Sequence, residues 1–163
     1  MHLVGVRVEM PTNSPIVLLR ESEGQHRVLP IFIGPVEATA IAFAQNGVVT
    51  ARPLTHDLLR DLLQSLEVEV EAIVITELVE AIFYAEIRMV RDGRRFVVSS
   101  RPSDAIALAV RIGTPIHAEE SLLDAEGYVV QDDDETEDGE EPEEVIEQFQ
   151  RFIEDIRPED FAS

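Results

Sequence analysis

The stretch Arg101-Pro102-Ser103-Asp104-Ala105-Ile106-Ala107-Leu108-Ala109-Val110-Arg111 decides the reading of this chain. Ser103 is a good helix N-cap, because its hydroxyl can accept a backbone N–H that the first turn leaves unsatisfied. Asp104 then places negative charge at the positive end of the helix dipole. Ile106, Leu108, Ala109 and Val110 make the next turns almost wholly apolar, which predicts a buried helix over 103–112. Gly113 stops that helix and Pro115 keeps it stopped. An arginine is therefore held just outside a buried helix start, beside a carboxylate. Such an arrangement fixes a charged pair in space or holds an anion.

The arrangement occurs again upstream, in Arg52-Pro53-Leu54-Thr55-His56-Asp57-Leu58-Leu59. Thr55 is the expected N-cap, His56 and Asp57 occupy the first turn, and Leu58, Leu59, Leu62, Leu63 and Leu66 follow at helical spacing. A third helix start follows a strand over 27–33. There Gly34 and Pro35 break the strand, Pro35 suits the first helical position, and Glu37 lies in the first turn. Alternation of apolar and polar residues predicts further strands over 2–10, 16–19, 68–77, 82–90 and 94–99, with a short one over 116–118. Arg91-Asp92-Gly93 reads as a hairpin turn. The order βββααβββαβ predicts an α+β fold, one domain of mostly antiparallel sheet with about three helices. The repeat of a run of strands followed by helix hints at internal duplication.

Length and composition agree with one domain and an appendage. A chain of 163 residues can bury one good core. Its longest apolar runs fall short of a membrane span, so no membrane association is expected. Met1-His2-Leu3-Val4-Gly5 lacks the basic-then-apolar pattern of a secretory signal, and there is no cysteine for a disulfide or a thiolate metal site. These features lead to the expectation of a cytoplasmic protein. The 13 basic residues are all arginine.

The net charge of −20 is unevenly spread. Residues 1–118 carry 14 acidic and 11 basic groups, whereas 119–163 carry 19 acidic and 2 basic groups. Phosphate binding draws most of its affinity from basic side chains. The first segment, near neutral and with clustered arginines, permits such binding; the acidic tail opposes it. The expected organisation is a domain over 1–123, an acidic flexible linker over 124–141, an amphipathic helix over 142–157 and a terminal tail over 158–163. Ten of the thirteen residues in 132–144 are acidic, too polar to order by burial. Val145, Ile146, Phe149, Phe152, Ile153 and Ile156 then form one apolar stripe. That helix needs a surface on its own core, on a sister subunit or on another protein.

The candidate catalytic residues are Glu37, His56, Asp57 and Asp104, and the candidate substrate-binding residues are Arg52, Thr55, Arg101 and Ser103. Arg52 and Arg101 can recognise phosphate or carboxylate at helix N-termini, or can be structural forks onto backbone carbonyls or onto Asp57 and Asp104. Glu37, Asp57 and Asp104 can share Mg2+ or Mn2+, since hard cations take several oxygen ligands; each also serves as a first-turn acid without any metal. His56 is an imidazole that can act as general acid or base, or can simply hydrogen-bond to structure. Thr55 and Ser103 lack an activating triad and read as caps. His2, His26 and His117 show no ligand spacing, and aromatic residues are few, which gives base stacking little support.

The run Leu29-Pro30-Ile31-Phe32-Ile33-Gly34-Pro35-Val36-Glu37-Ala38, then 52–57, then 101–109, resembles the bifunctional nuclease family over roughly residues 1–120. The resemblance implies a nuclease cutting DNA, RNA or both, and hence nucleic acid as partner. One departure is that Ser99-Ser100 stands where the family usually has Asp-Ala before the second Arg-Pro motif. The other function class is a non-catalytic binding or regulatory module, a homo-oligomer, dimer favoured, whose motifs are structural.

Overall fold

Residues 1–9 and 14–129 are described by a computed structural model. Period-two alternation builds β1 (His2–Glu9), which pairs antiparallel with β2 (Ser14–Arg20); β2 in turn pairs with β3 (Arg27–Phe32). Two helices follow, α1 (Pro35–Gln45) and α2 (Thr55–Ser65). A second meander comprises β4 (Glu69–Val79), β5 (Ile82–Arg91) and β6 (Arg94–Ser100), after which the chain enters α3 (Pro102–Ile112). The β5–β6 connection is the expected Asp-Gly hairpin, with Asp92 and Gly93 both at positive φ. The described chain ends in β7 (Ile116–Ala118), α4 (Glu120–Glu126) and β8 (Tyr128–Val129).

The strands form two four-stranded sheets, β1-β2-β3-β8 and β6-β5-β4-β7. Every pairing is antiparallel except β4 with β7. The α+β expectation therefore holds, with four helices among the described residues. Residues 105–109 of α3 are all buried, as a helix apolar on every side should be. They join Val17, Leu19, Leu29 and Ile31 from the first sheet and Ile73, Ile75 and Ile87 from the second in one core. α1 and α2 both pack on α3, which brings the three helix starts together. No described helix is long and apolar enough to cross a membrane.

Three expectations change. The domain does not end at 123: α4 runs through Glu126, and β8 pairs Tyr128 with Val28 and Val129 with Arg27. The linker therefore cannot begin at 124. Residues 130–141, the 142–157 helix and the 158–163 tail lie outside the described residues. Thr55 and Ser103 are not N-caps: Leu54 and Arg101 hold those positions, with Thr55 first in α2 and Ser103 second in α3. Proline explains the shift in α3, because Pro102 has no N–H to lose and its fixed φ suits the first helical position. In α2 the capping is done from inside, as the Leu54 N–H donates to Asp57 Oδ2 at 3.0 Å.

Candidate functional site

Glu37 is the third residue of α1, His56 the second of α2 and Asp104 the third of α3. Each follows a local start signal in the sequence, and the packing of α1 and α2 on α3 brings the three first turns to one place. Arg101, the N-cap of α3, ties them together. Its Nε donates to Asp104 Oδ2 at 2.7 Å and its Nη2 to Oδ1 at 3.1 Å, while Nη2 also lies 2.7 Å from Glu37 Oε1. His56 Nε2 is 3.1 Å from Asp104 Oδ1. A carboxylate can only accept, so Nε2 carries the hydrogen and Nδ1 is left as the proton-accepting atom of the neutral ring. Gly34 belongs to the same construction, because a Cβ there would collide with the Glu37 carboxylate.

The electrostatics favour a fixed ion network. Burial opposes ionisation of Asp104, but hydrogen bonds from Arg101 and His56 outweigh it and hold its pKa below the ordinary aspartate value. Hydrogen bonds to Asp104 and then to Glu37 raise the Arg101 pKa further, so the guanidinium stays charged. None of these contacts uses its Nη1, and its side chain is 65% exposed. Arg52 lies in the loop before α2, exposed, with no partner for its guanidinium among the described residues. Thr55 is exposed and Ser103 buried. The site thus sets a buried, oriented imidazole beside the exposed Arg101, with exposed Arg52 in the loop that leads into α2, and the positive dipole ends of the helices suit an anion.

Asp57 does not join this group. Its Oδ1 accepts from Arg111 Nε at 2.7 Å, and Arg111 Nη1 donates to the Ala107 carbonyl at 2.9 Å. Burial again opposes ionisation of Asp57, but Arg111 and the Leu54 N–H outweigh it and lower its pKa. The fork expected between Arg52 and Asp57 is therefore replaced by an α2–α3 clamp through Arg111, while the Arg101–Asp104 fork is present. The shared cation expected on Glu37, Asp57 and Asp104 does not fit this arrangement. Asp57 faces Arg111, Glu37 and Asp104 face a guanidinium, and no three His, Asp or Glu among the described residues gather with metal-ligand geometry. A concavity of about 400 Å3 lined by Arg60, Gln64, Glu69, Glu71 and Thr114 holds none of the site residues.

Sequence reasoning missed two arginines. Arg111 carried one faint signal, a basic residue in the last turn of a helix. Arg27 carried none, yet it is buried and gathers Glu21, Glu120 and Asp124 at 2.6–2.7 Å. At the Ser99-Ser100 departure, Ser100 Oγ is buried without a hydrogen-bond partner, next to Arg101.

The bifunctional nuclease domain matches residues 17–131. The uncharacterized protein Rv1829 of Mycobacterium tuberculosis is 44% identical over the whole chain and 98% of its own length. Bifunctional nuclease 2 of Arabidopsis thaliana is 28% identical over 76% of this chain and 39% of its own length. Bifunctional nuclease 2 of rice is likewise 28% identical, over 69% of this chain and 36% of that protein.

Proposed function

Since the chain belongs to the bifunctional nuclease domain family, we propose that it hydrolyses phosphodiester bonds of nucleic acid at the Glu37–His56–Arg101–Asp104 site. The observation that carries this reading is the His56–Asp104 hydrogen bond at 3.1 Å beside the exposed Arg101, which itself holds Asp104. Arg101 Nη1 and Arg52 bind phosphate oxygens and spread the charge that builds up in the transition state. Asp104 fixes the imidazole so that His56 Nδ1 takes a proton from the attacking water. The phosphorus–oxygen bond breaks, and the departing oxygen regains a proton from solvent. Glu37 holds Arg101 in place.

The test uses full-length protein with plasmid DNA and with RNA at low salt, with Mg2+, Mn2+ or a chelator. Cleavage is expected, falling steeply with added salt as phosphate contacts release counterions. His56→Ala should lower kcat by about 100-fold or more, the usual contribution of a general base. Arg52→Gln should raise KM while leaving the melting temperature unchanged. Absence of cleavage by folded protein under every metal condition, or full activity in His56→Ala, overturns the reading. The Arg101 bridge between Glu37 and Asp104 favours a second reading, a non-catalytic module; binding of nucleic acid without cleavage selects it.

A further inference from the structure

β6 is the outer strand of its sheet, and the first six of its seven residues are exposed. Among the described residues it pairs only with β5, so its other edge offers free backbone N–H and C=O groups. Natural edge strands are usually defended by central charges, proline or a bulge. This one has none: its pairing with β5 is regular, its charges are confined to Arg94 and Arg95, and its middle is Phe96-Val97-Val98. Those three are 48%, 57% and 47% exposed. Phe96 and Val98 stand opposite Met89 and Ile87, on the face that α3 covers farther along the sheet, and yet they remain open.

The sequence of β6 is complementary to itself. Antiparallel pairing about a two-fold axis at Val97 sets Val97 on the partner's Val97 and Phe96 on the partner's Val98. Arg95 then meets the partner's Ser99, and Arg94 the partner's Ser100, so no like charges oppose each other. We propose that two copies of this chain join edge to edge through β6 in this register, making one eight-stranded sheet. A second copy is the occupant that fits: only it matches the apolar centre and both arginine–serine ends at once.

The pairing also changes the site. Ser100 directly precedes Arg101, and residues 94, 96, 98 and 100 share the face on which α3 packs. The partner's Arg94 therefore arrives on that face beside the α3 start. Each site gains a guanidinium from the other subunit, a phosphate contact that one chain supplies only with Arg52 and Arg101. This last step rests on the phosphodiester reading above; the pairing does not.

The experiment needs no activity. Full-length protein at tens of micromolar is measured by light scattering and sedimentation, and the expected mass is that of a dimer. Val97→Glu sets two like charges at the axis and should give monomer; an equimolar mixture of Val97→Glu and Val97→Arg should regain the dimer mass. The chain has no cysteine, so introduced thiols report alone. Opposed antiparallel Cα atoms lie about 4.5–5.5 Å apart, within disulfide reach. Val97→Cys should oxidise to a covalent dimer, and Val49→Cys, 91% exposed elsewhere, should not. Arg94→Cys and Ser100→Cys should cross-link only when mixed. Monomeric wild-type protein, as when another segment of the chain covers β6, overturns the proposal. So does a dimer that ignores Val97→Glu and fails to link at 97. A dimer that links at 97 but not between 94 and 100 overturns the shared site. Failure of the hydrolysis assay leaves all these readouts intact, so the two ideas fail separately.

Discussion

Two arginines bracket α3, one at each end, and their surroundings give them opposite duties. The Arg101 side chain is 65% exposed, although it touches both Glu37 and Asp104. The Arg111 side chain is 5% exposed and neutralises Asp57 across the α2–α3 contact. Removing a partner from an exposed pair costs little, because water replaces it; removing one from a buried pair strands a charge. Arg111→Ala should therefore destabilise the protein by roughly 2–4 kcal/mol. Arg101→Ala should cost about 1 kcal/mol or less. Urea unfolding of both variants checks this: a larger loss at Arg101 would make it a structural fork and weaken the phosphate-binding role assigned to it.

At the scale of elements, α4 and β8 matter more than their lengths suggest. α4 buries Leu122 and Leu123 in the core, while its Glu120 and Asp124 reach Arg27 on β3. β8 then closes the same strand by pairing at Val28 and Arg27. Arg27 is buried, so losing Asp124 exposes an arrangement that needs several carboxylates to offset its desolvation. A chain truncated after residue 123 should melt several degrees below the full-length protein. Truncation after 131, where the family match also ends, should leave the melting temperature nearly unchanged. Calorimetry on the two truncations decides it, and equal melting temperatures would falsify the role given to α4 and β8.

For the molecule as a whole, acid should act through a few well-held carboxylates. The Glu21 side chain hydrogen-bonds to Arg27, which lowers its pKa from 4.5 to about 2. Asp57 and Asp104 are also lowered, against the pull of burial. A folded pKa below the unfolded one means stability that is complete above the unfolded value and is lost as pH falls through the folded value. Melting temperature should therefore drop steeply between about pH 4.5 and 2, the interval over which Glu21 titrates in one state and not the other. Glu21→Gln should lower the melting temperature at pH 7 and flatten that drop. An unchanged slope in the variant would show that the Arg27 cluster does not govern the acid response.

Local signals were legible in the sequence, and long-range partnerships were not. Strand alternation, the Asp92-Gly93 turn, Pro35 at the first position of α1 and the all-apolar body of α3 depend on neighbours within a few residues, so periodicity and turn chemistry reveal them. That Glu37, His56, Arg101 and Asp104 stand at helix starts was readable from three local start signals. That they converge, while Asp57 turns away to Arg111, follows only from the packing of α1 and α2 on α3. The α3 cap was misplaced because a proline at the first position competes with a serine one residue later, and backbone geometry settles which one opens the helix. α4 and β8 were hidden for a related reason. Seven polar-rich residues and a two-residue strand carry little periodicity of their own, and they order through Leu122 and Leu123 in the core and through the charge of Arg27. Sequence by itself determined the elements and the chemistry available at their ends; tertiary structure decided which charges meet, because hydrogen bonds and ion pairs act over a few ångströms regardless of separation along the chain.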